Sequence, residues 1–167
     1  MIRFTNVALI FAGVALSAQA ATAAAPDAKL WNGTWHLNAA ASKWGASGKE
    51  TSETRSYDYS GGKLSMKSSA KNAAGKETNF AYSAACDGKF SPMTGNPNAD
   101  SISLNCVSGS EIKATSRLHG KVTVQSTATV SADGKHLTLK RTYVGTKGAP
   151  TESPVRRPLL RTAYLFR

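Results

Sequence analysis

The stretch Lys121-Val122-Thr123-Val124-Gln125-Ser126-Thr127-Ala128-Thr129-Val130-Ser131-Ala132-Asp133-Gly134-Lys135-His136-Leu137-Thr138-Leu139-Lys140-Arg141-Thr142-Tyr143 decides the fold. Val122, Val124, Ala128 and Val130 alternate with Thr123, Gln125, Thr127 and Thr129. After the turn, Leu137, Leu139, Arg141 and Tyr143 alternate in the same way. A period of two places one set on each face of a strand, so both arms read as half-buried β-strands. Asp133-Gly134 between them supplies the positive φ that a tight hairpin turn needs. The stretch is a β-hairpin with one apolar face.

The same grammar runs outward along the chain. Gly-Lys recurs at positions 48, 62, 75, 88, 120 and 134, and Lys147-Gly148 closes the series. The gap from 88 to 120 holds two more turn signals, Gly95-Asn96-Pro97-Asn98 and Ser108-Gly109. Alternating segments between regular turns indicate an antiparallel all-β domain. Candidate strands fall at 31–38, 51–60, 63–70, 77–86, 88–92, 100–106, 111–118, 121–131, 135–143 and 159–166. No segment has a helical period, although Asn38 to Lys49 has room for one helical turn. One apolar face per strand must be covered, and with no helices the sheet must pack on itself as a sandwich or a closed barrel. Sequential hairpins favour the up-and-down barrel. The expected fold is an antiparallel meander closing into a barrel of about 8–10 strands.

The first residues have another character. Arg3 is followed by the apolar run Val7 to Leu16 and then by Ala18-Gln19-Ala20 and Ala21-Thr22-Ala23. A basic start, a short apolar core and an A-x-A site make a secretory signal. The run is too short for the ~20 residues of a membrane-spanning helix. Residues 1–23 are therefore expected to be a signal peptide and 24–167 a single exported domain, periplasmic or secreted. Loss of Arg3 takes Lys+Arg from 21 to 20 against 10 Asp+Glu, leaving a net charge of +10. Such a balance invites nucleic acid, but the exported compartment offers little of it. The lysines at turn tips read first as solvated edges that discourage aggregation. If they form a working face, anionic envelope components are the partners expected.

Three stretches are similar to a known group. Trp31-Asn32-Gly33-Thr34-Trp35-His36-Leu37-Asn38 with Ser42-Lys43-Trp44 resembles the opening of small exported bacterial lipocalin-like (calycin-type) proteins, and residues 93–102 and 130–138 extend the similarity. The resemblance implies a barrel and, at most, a small apolar ligand inside it; it implies no reaction. It also implies that Gly33 and Trp35 close one end of the barrel and that an arginine, Arg161 or Arg167, packs across the tryptophan.

Chemistry-bearing residues are sparse. Cys86 and Cys106 fall on neighbouring expected strands, and an even count in an oxidising compartment favours a disulfide. His36, His119 and His136 show no metal-ligand spacing, so no metal or cofactor site is expected. Asp87 and Asp133 belong to hairpin turns, and Asp100 to a local turn cap. No catalytic constellation is evident, so an enzyme is not expected. The inward set is more suggestive: Arg55, Tyr57, Tyr59, Met66, Phe80, Tyr82, Leu104 and Tyr143 would line a pocket, with Leu118, Leu139, Tyr164 and Phe166 beside them. Arg141 falls on the same face. An arginine inside a barrel needs a partner: a ligand acid, or Glu53 and the tyrosine hydroxyls. Two readings follow for a monomeric barrel. One holds a small apolar or amphipathic ligand; the other has a packed, ligand-free core and meets envelope components through its cationic turns.

Overall fold

A computed structural model describes residues 24–43, 50–144 and 159–166, with the side chains of 159–164 left aside. The signal expected over 1–23 lies outside the described residues. The chain forms a short helix α1 (Ala28–Trp31), then β1 (Gly33–Leu37), β2 (Glu50–Ser60), β3 (Lys63–Asn72), β4 (Glu77–Ala85) and β5 (Phe90–Thr94). There follow β6 (Ser101–Cys106), β7 (Glu111–Leu118), β8 (Lys121–Val130), β9 (His136–Tyr143) and β10 (Leu159–Phe166). These strands pair antiparallel, each with its neighbour in sequence, and β1 meets β10, so the meander closes into a barrel. This is the fold read from the alternating stretches.

The period of two sets the two faces. In β3, Leu64, Met66, Ser68 and Ala70 are buried, while Lys63, Lys67 and Lys71 are exposed. The deciding hairpin pairs Val124 with Tyr143 and Val130 with Leu137. Pairing is long between β2 and β3, from Glu50↔Asn72 to Ser60↔Lys63. It is brief at the closing seam, where His36 meets Phe166 and Leu37 meets Leu165.

The sequence placed Trp31 on the first strand and a helical turn after Asn38. The helix instead precedes β1 and ends at Trp31. Asp27 caps it, accepting from the Lys29 N–H at 2.9 Å, and such a cap satisfies a donor the helix leaves open. Residues 39–41 form a turn bound to Asn38, whose side chain accepts from the Ala41 N–H at 3.1 Å. Residues 44–49 lie outside the described residues.

Helix α1 lies across one end of the barrel and makes its floor. The Asp27 N–H donates to the Gly109 carbonyl at 2.9 Å, and the Trp31 indole N–H donates to the same oxygen at 2.8 Å. The Trp35 indole donates to the Trp31 carbonyl at 3.2 Å. Both indoles are fully buried, as are Leu137 and nearly so Leu165. Trp31 meets the Tyr57 ring edge-on at 5.6 Å. Gly33 holds a φ of +137°, a backbone that favours glycine at the entry to β1.

Cys86 and Cys106 form a disulfide with Cα atoms 5.3 Å apart. The strand β5 does lie between β4 and β6, but it pairs with β4 only at Ala81↔Thr94 and Tyr82↔Met93. Near the floor the end of β4 therefore approaches β6 directly, and the Gly88 N–H donates to the Leu104 carbonyl at 3.0 Å. The disulfide ties the chain together where the β4–β5 ladder is missing.

Candidate functional site: the barrel cavity

Inward residues of most strands leave the interior incompletely filled. A cavity of about 440 Å³ runs from the apolar depth of the barrel to the end opposite α1. Leu64, Met66, Leu104, Ile112 and Leu139 line its depth. Asn72, Lys76, Asn96 and Asn98, at the β3–β4 and β5–β6 connections, line its mouth. Side chains thus do not fill the interior, as the rival expectation of a packed core would have it.

Between depth and mouth lies a charged cluster. Glu53 and Arg55 are two positions apart on β2 and so share the inward face. They are 3% and 6% exposed. The Arg55 Nε donates to Glu53 Oε1 at 2.6 Å, and its Nη1 donates to the Tyr57 hydroxyl oxygen at 3.3 Å. Ser68 of β3 donates to the same Glu53 Oε1 at 2.8 Å. Arg55 also lies over the Phe80 ring at 5.5 Å, a favourable place for a cation. From β9, Arg141 Nη2 approaches Glu53 Oε2 at 3.7 Å without making a hydrogen bond.

These contacts decide the protonation states. Burial pushes the Glu53 carboxyl up, but the charges of Arg55 and Arg141 and the hydrogen bonds from Arg55 and Ser68 overcome it and hold the group at about 2. Burial opposes the charge of Arg55, yet Glu53 and Tyr57 more than offset it and raise its affinity for the proton. Burial, with Tyr57 nearby, raises the Tyr82 hydroxyl far enough that it stays a neutral O–H donor at physiological pH. The cluster is an ion triad with a phenol beside it. It offers charge and hydrogen bonds, with no exposed nucleophile.

Of the residues expected to line a pocket, Arg55, Tyr57, Met66, Phe80, Tyr82, Leu104, Leu139, Arg141 and Tyr143 do so. Tyr59 does not; it is partly buried and packs against the core beyond the cavity. Leu118 lies past an irregularity in the β7–β8 ladder, where Ser116 pairs with Val124 but Arg117 with Val122, and it ends opposite Lys121. Phe166 is 42% exposed and tilts against His36 on the outside. The side chains of Arg161 and Tyr164, and Arg167 altogether, fall outside the described residues, so the arginine expected across Trp35 does too. Glu53 was visible in the sequence on the face of Arg55, but its place between two arginines was not. That needs the curvature of the closed barrel, which brings β9 toward β2.

The other candidates lie elsewhere. Asp87 and Asp133 accept from the Lys89 and Lys135 N–H groups, each two residues on. Asp100 accepts locally from the Ser101 hydroxyl at 2.9 Å and also reaches beyond its own turn, accepting from the His119 N–H at 2.7 Å and holding the β7–β8 connection. His119 carries a φ of +51° there. Among the described residues no three histidine, cysteine or acidic side chains converge as metal ligands. The turn lysines divide between the two ends: Lys63, Lys89 and Lys135 near the floor, Lys76 and Lys121 near the mouth. Among the described residues they do not form one cationic face.

No family description and no curated protein matches this sequence. Among solved structures, the one described as "Structure of EF1p2_mFAP2b bound to DFHBI" aligns with a TM-score of 0.46 at 12% identity, over 84% of this chain and 96% of that one. A likeness at that level bears no weight for function, which has to be argued from the cavity.

Proposed function

We propose that this protein is an exported binding protein that holds a small apolar or amphipathic molecule in its barrel, without transforming it. The observation that carries the reading is the cavity of about 440 Å³, open at one end and sealed at the other by Trp31 and Trp35. Pockets of roughly 300–1,000 Å³ with a few placed polar groups are the usual dimensions of small-molecule sites. A barrel that served only as a surface would gain stability by filling that volume with side chains. Export is supported by the disulfide, since such bonds persist in oxidising compartments. Among the described residues no helix is long and apolar enough to cross a membrane.

The test is direct. Protein purified from its own host is extracted with organic solvent and the extract analysed by mass spectrometry, and the emptied protein is titrated with Nile red. A stoichiometric small molecule in the extract, or a saturable rise in dye emission, is expected. Empty extracts together with a flat dye titration would overturn the proposal.

A further inference from the structure

Resting on that reading, we infer that the cavity selects amphipathic anions, and that a carboxylate seats at mid-depth against Arg141 and Tyr82 with its apolar part on Met66, Leu104 and Leu139. The hydrogen-bond inventory of the cluster leads there. A guanidinium carries five N–H donors and no acceptor. Arg55 already has Glu53 Oε1 and the Tyr57 oxygen. Glu53 Oε1 also accepts from Ser68. Arg141 is in a different position. Its side chain is 11% exposed, and Nη2 lies buried without a hydrogen-bond partner, 3.7 Å from a carboxylate oxygen that also has none. Tyr82, from β4 across the barrel, lines the same cavity, and its hydroxyl has no hydrogen-bond partner among the described residues. Even with Glu53 Oε2 counted, Arg141 and Tyr82 bring more hydrogen-bond donors than the cluster has open acceptors.

Charge narrows the choice of acceptor. Glu53 faces two guanidiniums, Arg55 and Arg141, and neutralises one. An amine entering this wall would meet like charge. An alcohol would supply an oxygen but no compensating charge. A carboxylate supplies both, and its two oxygens match the planar fork of a guanidinium. Burial keeps Tyr82 protonated, so it can donate the second hydrogen bond. Below the cluster Leu64, Met66, Leu104 and Leu139 give an apolar lining, and Phe80 flanks the cluster. An acid group and an apolar body are thus accommodated at successive depths of one cavity.

The test separates head-group selection from binding as such. The purified protein, emptied of bound molecules, is titrated calorimetrically with decanoate, decanol and decylamine at neutral pH. Decanoate is expected to bind at least about tenfold more tightly than decanol, the value of one charge-assisted hydrogen bond, and decylamine most weakly. Arg141→Gln should erase the preference for decanoate over decanol. Tyr82→Phe should reduce the preference and serves as the second probe if Arg141→Gln does not fold. Equal affinity for decanoate and decanol would overturn the anion inference and leave the binding function standing. A decanoate preference that survives both substitutions would place the acid group elsewhere and overturn it too. Failure of all three compounds and of Nile red to bind would overturn the inference and the binding function together.

Discussion

At the floor of the barrel, Trp31 and Trp35 are fully buried and each indole N–H has a carbonyl, Gly109 and Trp31 respectively. Toward the mouth, buried Glu53 Oε2 and Arg141 Nη2 face each other unbonded beside a cavity. Both regions belong to one sheet and share strands β2 and β9. The floor gains from close packing and satisfied donors, which is where a folded chain finds most of its stability. The cluster at mid-depth retains buried charge and open volume, both of which cost stability. Such a local departure from the rule followed elsewhere is expected where a protein does its work. The tightly packed floor and the charged, open cavity are thus carried by different parts of the same strands.

The comparison can be broken most sharply at the floor. Trp35→Ala should lower the unfolding free energy by about 4 kcal/mol in urea denaturation, as large-to-small changes at buried aromatic sites do. A loss under about 1 kcal/mol would mean the floor is not the stabilising end. Next in size is Glu53→Gln, which leaves Arg55 and Arg141 without their charge partner and should cost about 3 kcal/mol at neutral pH. The same group sets an acid limb. Its folded pKa of about 2 lies below the ordinary carboxylate value of 4.5. Its contribution is therefore complete above pH 4.5 and is lost as the pH falls through 2. Integrated over that window the loss is on the order of 3 kcal/mol, and Glu53→Gln should flatten this part of the stability profile. A wild-type protein indifferent to pH between 5 and 2 would contradict the ion triad.

Reduction of Cys86–Cys106 should cost roughly 3 kcal/mol for a loop of 20 residues. The measurable sign is a lower melting temperature with reductant present, and unchanged melting would show that β4 and β6 hold without the bridge. The smallest effect concerns Gly95. It has a φ of +78°, and a side chain there would press on the Asn79 backbone carbonyl. Gly95→Ala should destabilise by about 1–2 kcal/mol and shift β5 beside the mouth. A neutral outcome would show that this connection yields easily.

Much of the fold was legible because its signals are local. The alternation of Val122 to Val130 and of Leu137 to Tyr143 and the Asp133-Gly134 turn are all read within a few residues. The errors have physical causes of longer range. Trp31 has strand-like neighbours, but Asp27 caps a helical turn that lets both indoles seal the floor. Leu118 follows the alternation until the extra residue Thr123 in β8 breaks the register. Tyr59 keeps the inward period of β2 yet lies too near the floor to reach the cavity. At the site, the adjacency of Glu53 and Arg55 is a matter of spacing. The approach of Arg141 depends on how far the barrel curves, and the spare volume depends on every inward side chain at once. No local pattern encodes either.

The direction of the strands has a practical corollary. Residue 24 precedes α1, and β10 runs toward the floor to end beside His136 at Phe166. Both described ends of the domain therefore emerge on the sealed side. A tether attached at either one, whether a resin linker or a fused partner, holds the barrel upright with its entrance pointing away from the support. Immobilised in this way, the protein keeps its cavity open to solution, and a sensor surface coated through these ends exposes every molecule in the same orientation.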